Sequence, residues 1–592
     1  LGFERPSRVV QTTDVRGVLP ALAEIDAEVE RGAWSAGFIS YEAAPGLDPA
    51  LTVRPAKALP LLWFGLFDKP VEVEDDLPPL RTPESAYRPN VAWAPTLDQR
   101  AFETSLAAVR AYLESGDTYQ VNFTFRMRAS APFAVEPLFA AMVHGQTTPY
   151  AAFVDTGRHV LLSVSPELFF SLDGDRVTCR PMKGTARRGL DFSSDILAGT
   201  ELACSPKCQS ENVMIVDMIR NDLGRVAERG TVRVERLFEV ERYETVLQMT
   251  STVTARSAAP LPELMRSLFP CASVTGAPKR RTMEIIAELE SDARGIYTGA
   301  IGFFGPGRNA QFNVAIRTVH VDREEGTAEY GTGAGIVWDS VPANEYVECL
   351  DKARVLFEPY EPFRLLETML WTPSRGVRLL EAHIDRMCAS AAYFGFAFDI
   401  EMVRQRIALS TSSLPKTPQR IRLLVDAKGG IEIETSPCSI DDKTGRVVAL
   451  ASEPVSVSDR FLYHKTTRRG VYDAARRSAG TADDVLLWNE AGEVTESTVA
   501  NVILWRDGRW VTPPVRCGLL AGTLRERLLG RGCIHEAVVR RDSLRNGEVL
   551  YLVNSIRGVM RATLLAGESQ CVAVPLPMPR GLQRSTPWDR RP

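Results

Sequence analysis

SENVMIVDMIRNDLG, residues 210–224, decides how the first half of this chain is read. It reads as a helix, with Ser210 near the N-cap and Gly224 just past the end. Downstream, GAPKRRTMEIIAELE (276–290) opens a second helix with Pro278 in its first turn and Met283, Ile286 and Leu289 along one side. Upstream, HVLLSVSPELFFSL (159–172) and VTCRPMKG (177–184) look like strands that lead into loops. The same alternation of strands and amphipathic helices recurs to the end of the sequence, so the fold class expected in both halves is α+β.

The whole is 592 residues long, which at ~100–200 residues per domain implies two or more domains. Basic and acidic side chains number 70 and 74, apolar residues make up 45% and charged ones 24%, the composition of an ordinary globular chain. Collagen-like, coiled-coil and disordered classes are excluded. A near-neutral balance without a basic tract argues against nucleic acid as a partner. None of the ten cysteines forms a CxxC pair, and Cys204 and Cys208 lack a second pair or nearby histidine for zinc, so free thiols are expected. The longest apolar run, Ala58 to Phe67, is half the ~20 residues that cross a bilayer. With no charged-then-apolar leader, no membrane partner is expected and the expected location is cytoplasmic. Three Pro-rich breaks, Asp68 to Pro89, FEPYEPF (357–363) and everything after Cys571, divide the chain. The expected domains are 1–360 (an N-terminal segment, 1–90, and a catalytic core, 91–360), 361–572, and a disordered tail, 573–592.

In NEYVECLDKA (344–353), Glu345, Glu348 and Lys352 fall on one helical face, where two carboxylates could offer magnesium the hard oxygens it prefers. On spacing alone the simpler reading is a solvated face with an i,i+4 Glu–Lys pair, and Glu211 carries the same ambiguity. SVTGAPK (273–279) puts Thr275 and Gly276 at a helix start suited to a carboxylate, and GTGAG (331–335) allows close backbone approach. Neither GxGxxG nor a phosphate-loop ending is present.

Taken in order, GDTYQVNFTFRM, SPELFF, PMKGT, SENVMIVDMIRNDLGRV, VTGAPKRRTMEII, GIYTGAIGFF, FNVAIRT, GTGAGIVWDS and NEYVECLDKA resemble the chorismate-utilising enzymes, over roughly residues 98–359. The likeness is greatest to those that form aminodeoxychorismate, and it implies a β-sandwich with flanking helices. It further implies that Glu211, Glu345 and Glu348 hold Mg2+ with one substrate carboxylate. Tyr297, Arg317, Thr275, Gly276 and the Gly333/Gly335 backbone would meet the other carboxylate, with Lys352 adding positive charge. Glu167 matches the family's general acid for the departing hydroxyl, its pKa raised if packed beside Phe169 and Phe170. Lys183 marks the subclass: anthranilate-forming relatives have a small apolar residue there, whereas a lysine can attack C2 as a nucleophile. Arg180, Arg187 and Arg188 are expected to keep that amine deprotonated; the alternative is an ordinary basic loop. Gln120 replaces the lysine that activates water in isochorismate-forming relatives, and Gln248 stands where some members have histidine.

From Phe363 the motifs change to LLEAHIDRM, FLYHKTTRR, GEVTESTVANVILW, CGLLAGTLRERLL and LYLVNSIRGV, which resemble the fold-type IV pyridoxal-phosphate enzymes up to about Leu565. The resemblance implies pyridoxal 5'-phosphate carried on Lys465, with Glu496 pairing the pyridinium nitrogen. Arg386, Thr498 and the helix start at Gly522–Thr523 would hold the phosphate, and Asn554 and Arg557 would lie toward the substrate. The joint expectation is amination of chorismate followed by pyruvate elimination, giving 4-aminobenzoate for folate synthesis. The alternatives are the same synthase joined to a branched-chain or D-amino-acid type aminotransferase, and an anthranilate-forming first half joined to a silent dimerisation module. No cysteine has the Gly-x-Cys-x-Gly setting of a glutaminase, so a separate glutaminase subunit is the expected partner. The resemblance also implies self-association as a homodimer through the second half.

Overall fold

The computed structural model describes residues 1–55, 58–72, 91–130, 134–146, 148–357, 361–439 and 445–565. The 573–592 tail, most of the Asp68–Pro89 break and the centre of FEPYEPF lie outside the described residues. The described residues form two units, one within Leu1–Arg188 and Ala198–Glu361, the other within Gly189–Leu197 and the described residues from Pro362 on.

Among the described residues, the first unit holds a ten-stranded and a seven-stranded antiparallel sheet. In strand Trp34–Ile39, Phe38 joins a core shared with Leu161 of the other sheet, while Ile39 joins the core under helices Val18–Glu30, Pro206–Gly224 and Leu261–Leu268. Strand His159–Ser165 does the converse: Leu161 points inward, and Val160 and Leu162 pack toward helices Gln99–Glu114, Lys279–Leu289 and Pro342–Ala353. Period-two alternation along these apolar strands thus buries both faces of each sheet. The result is a β-sandwich with flanking helices, as expected. Strand Trp34–Ile39, within the N-terminal segment, pairs with Ala300–Gly305 of the core in one sheet.

Two helix boundaries differ from expectation. Helix Pro206–Gly224 begins a full turn before Ser210: the Ser205 hydroxyl accepts from Cys208 N, and Pro206 stands at the first helical position. Ser210 instead donates to Pro206 O at 2.8 Å, and Gly224 is the last helical residue. Helix Lys279–Leu289 begins after Pro278, and Gly276–Ala277 form a short strand against Gln120–Val121. Gly276, at φ +153°, permits this; a Cβ there would collide with Gln120 O. Thr275 and Gly276 are therefore at a strand pairing, not at a helix N-terminus.

In the second unit, helices Leu380–Phe394 and Ile400–Ser412 bury Ile384, Met387, Val403 and Ile407 against a four-stranded sheet that includes Leu365–Thr372 and Gln419–Val425. An eight-stranded mixed sheet carries the rest, with Arg446–Leu450 parallel to both Asp484–Trp488 and Gly558–Leu565. Both halves are α+β. No helix among the described residues is long and apolar enough to cross a membrane.

Candidate active sites

In the first unit a cavity of about 250 Å³ is lined by Glu167, Lys183, Glu211, Gln248, Tyr297, Arg317, Gly333, Gly335, Glu345, Glu348 and Lys352, with Ser273 and Cys208. Residues distant in sequence meet here because strand Met182–Arg187, strand Thr327–Ile336 and helices Pro206–Gly224 and Pro342–Ala353 all border the cavity. Lys183 makes no ion pair or hydrogen bond through Nζ among the described residues. Burial depresses its pKa, Glu211 opposes that, and Lys352 adds to it. Arg180, Arg187 and Arg188 do not, contrary to expectation. They are turned to Glu241 (2.6 Å), Asp351 (3.1 Å) and the Tyr243 carbonyl (2.7 Å).

Glu167 is 3% exposed, accepts a hydrogen bond from Ser273 Oγ at 2.6 Å, and is pushed up to about 7 by burial. The glycines permit close approach: a Cβ at Gly335 would collide with Lys183 Nζ, and one at Gly331 with the Tyr297 ring. Arg317, at φ +49°, donates to Gln146 at 2.6 Å and lies over the Tyr243 ring. Gln248 accepts from the Thr185 hydroxyl at 3.1 Å. Gln120, Thr275 and Gly276 are buried beside the cavity without lining it; Gln120 stands near Gly335, and neither of its amide atoms has a partner.

The expected metal ligands share the cavity without closing on one point. Among the described residues no group of three or more His, Cys, Asp or Glu could hold a metal ion. Glu348 is instead paired with Lys352 at 2.8 Å, the i,i+4 pair of the simpler reading, and this cation holds its pKa down. Lys352 also donates to Gly333 O at 3.0 Å. Burial raises the pKa of Glu345, and the like charge of Glu348 raises it further. The donor chemistry nonetheless fits magnesium, which takes one or two carboxylates and leaves other positions to water and substrate.

A second cavity, about 920 Å³ and confined to the second unit, is lined by Arg386, Lys465, Glu496, Thr498, Gly522, Thr523, Asn554 and Arg557, all eight residues that the sequence singles out there. Lys465 has no ion pair through Nζ among the described residues, and burial, reinforced by Arg386, lowers it to about 8. Glu496 is pushed up to about 7 by burial while accepting hydrogen bonds from Tyr472 (2.8 Å), Leu520 N (3.1 Å) and Asn501 (3.1 Å).

Residues 6–358, more than half of the chain, match the family model described as chorismate binding enzyme. The chain belongs to the chorismate binding enzyme family. Residues 364–565 match the model described as amino-transferase class IV. "Anthranilate synthase component 1 3" of Haloarcula marismortui is 36% identical over 364 residues, 54% of this chain and 71% of that one. "Aminodeoxychorismate synthase component 1" of Klebsiella aerogenes is 40% identical over 272 residues, 46% of this chain and 60% of that one. The chain thus spans between 60% and 71% of the length of these two relatives. The solved anthranilate synthase component I of Streptococcus pneumoniae TIGR4 shares the fold, with TM-score 0.52 and 23% identity over 60% of this chain and 91% of that one.

The second cavity of this chorismate binding enzyme offers groups of the kind pyridoxal 5'-phosphate needs, although two of the expected phosphate donors are engaged within the protein. Arg386 forks onto Glu367 at 2.8 Å and donates to Ala521 O at 2.9 Å, leaving two of its five N–H donors. The Thr498 hydroxyl donates a hydrogen bond to Asp484 at 2.5 Å, so it is not turned to a phosphate as expected. Helix Thr523–Gly530 does open at Gly522, where a Cβ would collide with Asn501 Oδ1. Asn554 caps the Ile556 and Arg557 amides, and Arg557 is exposed.

Sequence reading missed Ser273, Glu367, Tyr472 and a buried brace under the first cavity. In that brace Arg294 binds Glu290 (2.7 Å), Val274 O (2.8 Å) and Asn122 O (2.7 Å). The i,i+4 spacing of Glu290 and Arg294, and the lone acid Glu367 in an apolar strand, are the signals that could have found them.

Proposed function

We propose that this chain makes 4-aminobenzoate from chorismate: its first unit replaces the 4-hydroxyl by an amine, and its second eliminates pyruvate from the resulting 4-amino-4-deoxychorismate. The observation that carries the reading is Lys183, an unpaired amine of depressed pKa in the same cavity as the buried acid Glu167. Neutral Lys183 attacks C2 while Glu167 protonates the 4-hydroxyl, which leaves as water. Ammonia then bonds at C4, the two ring double bonds that moved in the first step shift back, and the C2–Nζ bond breaks, the surplus proton of the new amine passing to the lysine nitrogen as it is restored. Magnesium held among Glu211, Glu345 and Glu348 would neutralise one substrate carboxylate, and Tyr297, Arg317 and Lys352 offer charge and donors to the other.

In the second cavity pyridoxal 5'-phosphate would supply the electron sink for breaking bonds at the amine-bearing carbon. Glu496 would sit against its ring nitrogen, while the remaining Arg386 donors and the Gly522–Thr523 amides would meet its phosphate. Lys465, lowered to about 8, is neutral often enough to remove the C4 proton, after which pyruvate departs and the ring becomes aromatic. Ammonia comes from a separate glutaminase subunit in this reading; full activity of the single chain on glutamine alone would exclude it. Self-association through the second unit and a cytoplasmic location complete the reading.

The full chain incubated with chorismate, ammonium, magnesium and pyridoxal 5'-phosphate should yield 4-aminobenzoate and pyruvate by mass spectrometry. Anthranilate, the reading favoured by the name of the Haloarcula relative, would overturn the first step. Amino transfer to a 2-oxo acid without pyruvate release would overturn the second.

A further inference from the structure

Glu167 accepts one side-chain hydrogen bond among the described residues, the 2.6 Å contact from Ser273 Oγ. Ser273 is 6% exposed, lines the same cavity, and has Cys271 Sγ 3.1 Å behind its hydroxyl. Its short turn, Ala272–Val274, is fixed from below. The Val274 carbonyl accepts from Asn122 Nδ2 at 3.1 Å and Arg294 Nη1 at 2.8 Å, and the Thr275 carbonyl accepts from Asn122 N at 2.8 Å. Arg294 is in turn locked onto buried Glu290. The hydroxyl therefore has little freedom to leave the carboxyl.

We propose that Ser273 is the positioning residue of the first site's general acid, pinning Oε1 of Glu167 so that the proton delivered to the leaving hydroxyl is carried on Oε2. The assignment rests on the reading of Glu167 given above. A carboxyl has two equivalent oxygens; a donor fixed on one leaves the other to bear the proton and holds the plane of the group. Donation to a carboxylate also favours its ionised form, so Ser273 works against burial in setting where Glu167 titrates. The other groups facing Glu167 are the Met182 backbone N–H and Lys183, which also favour ionisation, and Cys271, a thiol pushed up to about 12 by burial and so neutral.

The test is the pH profile of chorismate consumption by the full chain with ammonium and magnesium. Ser273→Ala should lower kcat about tenfold with KM within about twofold, and move the alkaline limb of kcat/KM up by about one pH unit. The limb moves upward because Glu167, deprived of a donor, stays protonated to higher pH. Ser273→Thr, which keeps the hydroxyl, should restore both values. Should the alanine variant not fold, Ser273→Cys, kept reduced and only a weak donor, should shift the limb the same way by less. An unmoved limb in a folded variant, or a loss confined to KM, overturns the proposal. Glu167→Gln separates the two readings: if it leaves consumption intact, Glu167 is not the acid. If it abolishes consumption while Ser273→Ala behaves as wild type, only the role of Ser273 falls.

Discussion

The two cavities present the same pair of groups, a lysine whose pKa burial lowers and a glutamate that burial pushes up to about 7, yet tune them in opposite ways. Beside Lys183 the second influence after burial is Glu211, which works to keep the amine charged. Beside Lys465 it is Arg386, which acts with burial and brings the amine to about 8. Burial makes a lysine available as a nucleophile or base; its nearest charge decides how available. The first cavity is also the tighter, about 250 against 920 Å³, with Lys183 Nζ pressed toward the Gly335 backbone.

The sharpest way to break this parallel is to remove each amine in turn. Lys183→Ala should reduce chorismate consumption by more than about 1000-fold and leave pyridoxal-phosphate absorbance unchanged. Lys465→Ala should do the reverse, abolishing that absorbance and pyruvate release while 4-amino-4-deoxychorismate accumulates in the mass spectrum. Next in size, Glu167→Gln should cost the first step about 10²–10⁴-fold in kcat, because an amide cannot supply the proton. Chelating divalent metal with EDTA should stop chorismate consumption yet spare pyruvate release from added 4-amino-4-deoxychorismate, separating the acidic cavity from the arginine-rich one. A smaller and graded effect concerns pH. The rate at which the chain without cofactor captures pyridoxal 5'-phosphate, followed by absorbance, should rise with pH and level off above about 8, where Lys465 is neutral. A rate still climbing steeply past about pH 9, as for an ordinary lysine titrating near ~10.4, would show that Arg386 and burial do not act on this amine. Last, Glu290→Ala should cost about 3–5 kcal/mol of stability, since it strands buried Arg294; thermal unfolding measures it.

Much of both sites is legible in the sequence because their chemistry sits in short motifs. Lys183 and Glu167 in the first unit and Lys465 and Glu496 in the second line their cavities as the order of those motifs implies. Where structure departs from expectation, the cause is local. Ser210 looks like a cap, yet Pro206, suited to a first helical position, moves the start one turn back to Ser205. SVTGAPK looks like a helix entrance because strand pairing with Gln120–Val121 is invisible from the segment itself. The arginines around Lys183 are near it in sequence, but their partners Glu241, Asp351 and Tyr243 come from elsewhere and draw them off.

By itself the sequence determined the α+β class, the succession of two motif sets and the identity of the two amines, since residue type and motif order are properties of the chain. Only the tertiary structure decided which charges face those amines, that Lys352 rather than a third carboxylate meets Glu348, and that Ser273 holds Glu167 across 106 residues of chain. Desolvation and Coulomb energies depend on distance in space, and folding sets that distance independently of separation along the backbone.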